Sequence, residues 1–394
     1  MVSVLTRMLG VDQIDVAEDI VQDTLLKAMR LWSMQGIPAN PPAWLYTVAK
    51  NKAIDFIRAK KSQVAAARKY SSSDMVEPEV DPFQENEIQD SVLCMIFACC
   101  HPAIPEESGV AMSLKILGGL SVQEIAKAYL TSEETVAKRI YRAKEKIRMD
   151  NIPLHVPSPD AMPARLDNVL RVLYLMFNEG YHSSQPNEII RKDLCAEAMR
   201  LTHVLTQHRS SNRPSVNALL ALMCFQSCRL LARTDDQGNI ITLKYQDRSK
   251  WNKPLILKGR DYLDRAAEGP VISLYHIEAA IAGLHASAPT FEQTDWLSVH
   301  DLYTTLYQLN PSPIVALNKA IASSYAISNE SALELLKQIK GLEKYHLYHA
   351  ALGEVRLSLG EFAKAKEHFE DAFNLTQSAA ERQLLQHKME LCTK

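Results

Sequence analysis

Cysteine is scarce in this chain, seven residues in 394, and two of them, Cys99 and Cys100, are adjacent. No spaced disulfide framework can be drawn from that set, which points to a reducing compartment, the cytoplasm. Long apolar runs are missing as well: none reaches the ~18–20 residues that a membrane span needs. The opening MVSVLTRMLGVDQ has no basic n-region and meets charge too early to read as a secretory leader. No G-x-G-x-x-G, P-loop, G-x-S-x-G or H-E-x-x-H occurs, so no phosphate cradle, nucleophile elbow or zinc-protease helix is encoded in those forms. We therefore expect no enzyme, no cofactor and no metal. Glycine-rich loops are absent, and strand-like alternation is confined to a weak stretch at NIITLKYQD.

Helical periodicity fills the space these absences leave, and the fold class it predicts is all-α. A net charge of −2 conceals strong local blocks. Seven Lys or Arg lie between Lys50 and Lys69 against Asp55 alone, and seven acids without a base lie between Asp74 and Asp90. Lys138, Arg139, Arg142, Lys144, Lys146 and Arg148 then face a single acid, Glu145. Two basic blocks around an acidic one suggest two polyanion contacts, because local potential steers a partner; solvated surface charge is the alternative.

Composition divides the chain. A first helical module covers 1–61, broken by LWSMQGIPANPP with Gly36 and three prolines, which must be a loop between two helices. In the second of these helices Leu45, Val48, Ala49, Phe56 and Ile57 line one face, while Asn51, Asp55 and Arg58 share another. Residues 62–87 read as an acidic linker, 88–150 as a second module, and 164–310 as a helical extension behind the proline-rich NIPLHVPSPDAMP. Residues 311–394 close the chain with repeats. There LGEVRLSLGEFAKAKEHFEDAFNL carries Gly353, Ala365, Phe369 and Ala372 at the offsets of a tetratricopeptide hairpin. Small residues at 353 and 365 permit close approach, and Phe369 and Ala372 offer the next stacking surface. PIVALNKAIASSYAISNESALELLKQI reads as a degenerate partner upstream.

The second module holds the sharpest local signal. Ser121 and Glu124 form an S-x-x-E capping box, YLTS makes a short connection, and Ser132 caps a second helix that opens with Glu133 and Glu134. Val136 and Ile140 point inward and the bases outward. Two short helices with a tight turn make a helix-turn-helix, whose second helix suits a DNA major groove.

Two cysteine clusters invite a metal reading. Cys94, Cys99, Cys100 and His101 lie on the apolar run VLCMIFACC and lack the paired spacing of a zinc site, so core packing is expected. His101 ends that helix, where the dipole favours its protonated form. Cys224 and Cys228, one turn apart on another apolar helix, receive the same reading. FNEGYHSS gathers Asn178, Glu179, Tyr181 and His182 around Gly180, but no nucleophile lies nearby and turn chemistry accounts for it.

LSVQEIAKAYLTSEETVAKRIYRAKEKIR resembles region 4 of bacterial extracytoplasmic-function (ECF) sigma factors. DVAEDIVQDTLLKAMRLW and PPAWLYTVAKNKAIDFIRAKK resemble the two helices of sigma region 2, with Trp44, Leu45, Ala49, Asn51, Ala53, Asp55 and Arg58 at matching places. IFACCHPAIP, LMFNEGYHSS, YQDRSKWN and ALNKA resemble the subgroup with a long C-terminal helical-repeat extension. The family's region 2 usually begins one to two dozen residues earlier, and Leu130 stands where the turn often holds glycine. This resemblance implies an alternative sigma factor that makes no bond. Asp19, Gln22 and Asp23 would dock on the β′ clamp helices of core RNA polymerase, with the β flap as a further contact. Lys50, Asn51, Lys52, Arg58, Lys60 and Lys61 would meet the −10 element, and the loop MQGIPANPP would receive a flipped base. Asp55 would orient Arg58, and Trp44 would pack rather than stack on a base. Thr135, Lys138, Arg139, Arg142 and Lys144 would meet the −35 element. The acidic linker would occupy the RNA exit path, and the extension would bind core polymerase or a regulatory partner, in place of a separate anti-sigma protein. The rival reading is a helix-turn-helix regulator or repeat scaffold that never enters polymerase.

Overall fold

Helix-forming sequence punctuated by Pro, Gly and Ser/Asp caps produces a chain of helices, and the computed structural model follows that punctuation. It describes residues 1–67, 85–129, 131–183 and 190–393, with side chains described outside 61–90. Among the described residues the sole extended pairing is an isolated antiparallel bridge between Thr234 and Ile240, at the edge of the stretch read as weakly strand-like. The acidic linker, Leu130 and the side chain of Lys61 lie outside the described residues.

The chain divides into two compact units, Met1–Leu175 and Met176–Lys394. The first holds α1 (Val2–Leu9), α2 (Ile14–Gln35), α3 (Pro41–Ala67), α4 (Glu85–Cys99), α5 (Glu106–Ile116), α6 (Val122–Ala128) and α7 (Glu133–Met149). The division falls inside α8 (Pro163–Tyr181) rather than in the proline-rich break before it. α2 and α3 run antiparallel around Leu5, Ala17, Ile20, Ala49 and Ala53, whose small side chains bring the two helices close. Trp44 packs edge-on to Trp32, with ring centroids 5.5 Å apart, as expected of a packing residue.

The two modules that the sequence separates share a core. Ile14, at the start of α2, joins Met95, Ala98 and Cys99 of α4, Met112 of α5, and Ala143 and Ile147 of α7. Cys99 and Cys100 are buried, and burial pushes the Cys99 thiol up to about 12 and raises the Cys100 thiol as well. His101 departs from its expectation. Burial, with Arg165 nearby, lowers its proton affinity, and its Nδ1 accepts the N–H of Ala103 at 3.2 Å. Gly109 is required where α5 crosses α4, because a Cβ there would strike the carbonyl of Cys99.

The second unit stacks α9 (Lys192–Gln207), α10 (Pro214–Ser227), α11 (Lys253–Ala266), α12 (Leu274–Ser287), α13 (Trp296–Leu309), α14 (Pro313–Ala326), α15 (Asn329–Gln338), α16 (His346–Ser358), α17 (Phe362–Leu375) and α18 (Ala379–Leu391). Pro214–Ala232 is long and apolar enough to cross a membrane, yet 72% of its most apolar window is buried inside the fold. It is the helix that α9, α11 and α12 surround, so its hydrophobicity is core hydrophobicity. Cys224 and Cys228 are buried on it as free thiols. α14–α15 and α16–α17 form successive hairpins, where the repeats were read. Phe369 differs from expectation in part. Its ring closes its own hairpin over Gly353, where a Cβ would come within 2.5 Å of it, rather than serving the next stack alone.

Candidate nucleic-acid interface

The turn between α6 and α7 is built by its caps. Ser121 Oγ accepts the N–H of Glu124 at 3.1 Å, and the Glu124 carboxylate accepts the N–H of Ser121 at 2.5 Å, which completes the capping box. Ser132 Oγ accepts the N–H of Thr135 at 3.2 Å and starts α7. Val136, Ile140, Ala143 and Ile147 then fall on one buried stripe. Their spacing turns Lys138, Tyr141 and Arg142 to solvent on the opposite side.

The five residues expected at a −35 element sit in different surroundings. Arg142 is exposed, with no ion pair among the described residues. Lys138 is exposed and bonds Glu134 one turn back at 2.6 Å. Thr135 shares a hydrogen bond of 2.8 Å with Ser132, so its hydroxyl already serves the cap. Arg139 is braced from the side: it pairs with Glu107 of α5 and lies 5.6 Å from the Tyr129 ring centroid. Arg171 of α8 pairs with Glu106 and lies 5.9 Å from the same ring. Burial pushes the Tyr129 hydroxyl up to about 12.

Lys144 points elsewhere. Its Nζ lies 3.0 Å from Asp15 and 2.8 Å from Glu18, both on α2, and its side chain is only 16% exposed. Arg148 reaches Asp15 as well, at 2.5 Å. Burial alone would lower the Lys144 pKa, but hydrogen bonds and charge from Glu18 and Asp15 carry it above the ordinary lysine value. Asp15 is held below the usual carboxylate range, first by its hydrogen bond with Lys144. The last turns of α7 thus spend their charge on the first module, because the shared cluster around Ile14 brings the two helices alongside.

On α3, Asn51 and Arg58 are exposed, and Arg58 lies 3.9 Å from Asp55, the neighbour expected to orient it. Lys52 bonds Asp23 at 2.9 Å and Lys60 lies 3.8 Å from Asp12. Lys50 is half-buried. The resemblance assigns the α2 acids and the α3 bases to different partners, but the antiparallel pairing seats Asp23 opposite Lys52, so the two sets meet at that pair. Asp19, Gln22 and Asp23 are all exposed on α2.

Two groups of residues went unread in the sequence. Tyr141 is 66% exposed beside Arg142, and its position three residues after Lys138 was the available signal. Leu25, Leu26, Met29 and Met34 stand exposed on α2 beyond the acids, with Met29 at 71% and Met34 at 83%. Together they extend the acidic face of α2 with exposed apolar surface.

Comparison with known proteins bears on these faces. Residues 1–63 match the family Sigma-70 region 2, residues 94–147 match Sigma-70, region 4, and residues 165–267 match a family of unknown function, DUF6596. Uncharacterized protein R00370 of Rhizobium meliloti (strain 1021) is 36% identical over 372 residues, 93% of this chain and 88% of that protein. The ECF RNA polymerase sigma-E factors of Salmonella typhimurium (strain LT2) and Escherichia coli (strain K12) are each 33% identical over 141 residues. Those matches span 33% of this chain and 70% of each factor. No solved structure matches the chain.

Proposed function

The chain belongs to the ECF RNA polymerase sigma-factor family, with a long helical extension behind its two sigma modules, and from that premise we propose that it binds core RNA polymerase and directs initiation at promoters with a −10 and a −35 element. The observation that carries the reading is α7, capped at its start, buried on one stripe and cationic on the other. Arg142, Lys138 and Arg139, with Thr135 at the N-terminal end, meet the −35 duplex, and Tyr141 lies in the same path. Lys144 joins them only when its bonds to Asp15 and Glu18 are released. Along α3, Lys50, Asn51, Lys52, Arg58, Lys60 and Lys61 follow the −10 strand, and the exposed loop of Ile37 and its neighbours receives an unstacked base. α2 docks on polymerase through Asp19, Gln22 and Asp23, with Leu25, Leu26 and Met29 supplying the desolvated part of the contact. The extension carries a regulatory or polymerase-binding surface, and the site of action is the cytoplasm.

Run-off transcription with core polymerase tests this directly. The purified chain should confer promoter-specific initiation on core enzyme that lacks a specificity subunit. A chain that footprints DNA alone and leaves core silent would instead be a helix-turn-helix regulator. Arg142→Ala should weaken promoter binding by the holoenzyme by about 1–3 kcal/mol and relax preference at one base pair. Lys138→Ala should weaken all promoters alike and reduce the salt slope by about one.

A further inference from the structure

Hairpin α16–α17 brings together three titratable side chains that lie outside the sigma modules. His349 stands on α16, while His368 and Asp371 stand three residues apart on one face of α17. Their ligand atoms all lie within 4.8 Å of one another. Asp371 Oδ2 is 3.4 Å from His349 Nδ1 and 4.0 Å from His368 Nδ1. Both imidazole atoms are buried and have no hydrogen-bond partner.

The protonation of His349 follows from its other nitrogen. Nε2 lies 2.9 Å from the carbonyl oxygen of Glu343, a contact that requires an N–H. In the neutral ring the proton is therefore on Nε2, and Nδ1 turns a lone pair toward the Asp371 carboxylate. Lone pairs aimed at one another across a few ångströms repel unless a cation lies among them. A main-chain carbonyl holding the far N–H of an imidazole is also the usual outer support of a metal-bound histidine.

The donor set selects the ion. Two imidazole nitrogens and one carboxylate oxygen suit zinc and its first-row neighbours, whereas calcium and magnesium prefer oxygen throughout. Ligands held at about 2.0–2.1 Å around a tetrahedral ion sit about 3.4 Å apart. The His349–Asp371 pair already has that separation, and a small rotation of the His368 side chain would bring in the third ligand. His368 is held below the usual imidazole range, first by burial and then by the charge of Arg356, which itself pairs with Glu361. Asp371 is exposed, so the fourth position would open to water.

We propose that His349, His368 and Asp371 form a divalent transition-metal site of the zinc class that pins α16 to α17.

The test uses the full chain, stripped with a chelator and titrated with zinc chloride by calorimetry, with elemental analysis after dialysis. One ion should bind per chain and raise the melting temperature, while magnesium should do neither. His349→Gln, His368→Gln and Asp371→Asn should each weaken zinc binding by more than about tenfold, the scale that outer-support changes alone reach. His387→Gln, at an exposed histidine outside the cluster, should leave it unchanged. Far-UV circular dichroism of the metal-free variants checks folding, and Asp371→Asn, at a solvent position, carries the test if a histidine variant unfolds. Absence of zinc binding at micromolar concentration would overturn the site. So would affinity indifferent to all three changes, or a variant that loses acid stability while its zinc response stays intact, the mark of a plain imidazolium–carboxylate pair.

Discussion

α2 meets α7 through Asp15, Glu18, Lys144 and Arg148 at the rim of a shared apolar cluster, whereas α16 meets α17 through a phenyl ring seated on a glycine. Both contacts join helices, but by different means. Ion pairs that solvent reaches are each worth no more than about 1 kcal/mol and weaken with salt, so they can be exchanged for a polyanion at small cost. A ring fully enclosed by two helices has no such substitute. The first unit therefore joins its modules by terms that a charged partner can replace, and the second by terms that nothing in solution replaces.

The sharpest way to break the comparison is Phe369→Ala. The side chain is fully buried, so the loss should be about 3–5 kcal/mol. Calorimetry should show a lowered transition for the second unit beside an unmoved one for the first. A single transition shifted as a whole would mean that the two units unfold together and that the contrast has no energetic meaning.

Acid should separate the units next. Burial, with Arg229 and Arg248 nearby, lowers His285 to about 4, and burial also lowers His182 despite Glu381 beside it. A folded pKa below the unfolded value of about 6.5 means that the unfolded chain binds more protons between those two values. The stabilisation is thus complete above about pH 6.5 and is lost as pH falls toward 4. His285 alone accounts for on the order of 2–3 kcal/mol across that window. The first unit has His101 as its counterpart, less buried, so its melting temperature should fall less between pH 7 and 4.5. Equal falls would remove the distinction.

Legibility followed the same line. The helix-turn-helix could be read because its information is local: Ser121, Glu124 and Ser132 fix helix starts from within three residues. The hairpin around Gly353 and Phe369 could be read because its spacing repeats. The shared core around Ile14 could not, because a buried isoleucine at a helix start looks the same whichever module covers it. Lys144 shows the limit for the site. By sequence it is one base among six, and its acidic partners lie more than a hundred positions away. The partners of Lys52 were hidden similarly, since pairing Asp23 with it requires knowing that α2 and α3 are antiparallel. His349, His368 and Asp371 carry no local spacing signal, because the first stands on α16 and the other two on α17, and only the hairpin brings them together.

Ser121→Ala sharpens the comparison at a smaller scale. It removes the hydroxyl half of the capping box, at about 1 kcal/mol. The loss should appear in the first unit's melting transition and, because α6 supports α7, as weaker holoenzyme binding to a −35 element. Ser121→Asp should restore most of both.

The smallest effect expected is at the α2–α7 tie, and it is the most informative about the first unit. Lys144→Gln removes two ion pairs and keeps a polar side chain with a shorter aliphatic stem. Because each acid is partly exposed, the loss in stability should be under about 1 kcal/mol and should shrink further at high salt. Both groups are fully ionised across neutral pH, since Asp15 is shifted down and Lys144 up, so the loss should be flat from pH 6 to 9. If the tie restrains α7, the variant should bind core polymerase faster than the parent despite being slightly less stable. Asp15→Asn with Glu18→Gln separates restraint from contact, because it removes the acids that hold Lys144 and leaves the lysine on α7: if Lys144 serves only the tie, promoter affinity should stay intact in this variant and in Lys144→Gln alike. Promoter affinity that falls in Lys144→Gln but holds in the acid-neutral variant would place Lys144 on the DNA, with its bonds to α2 as a resting position.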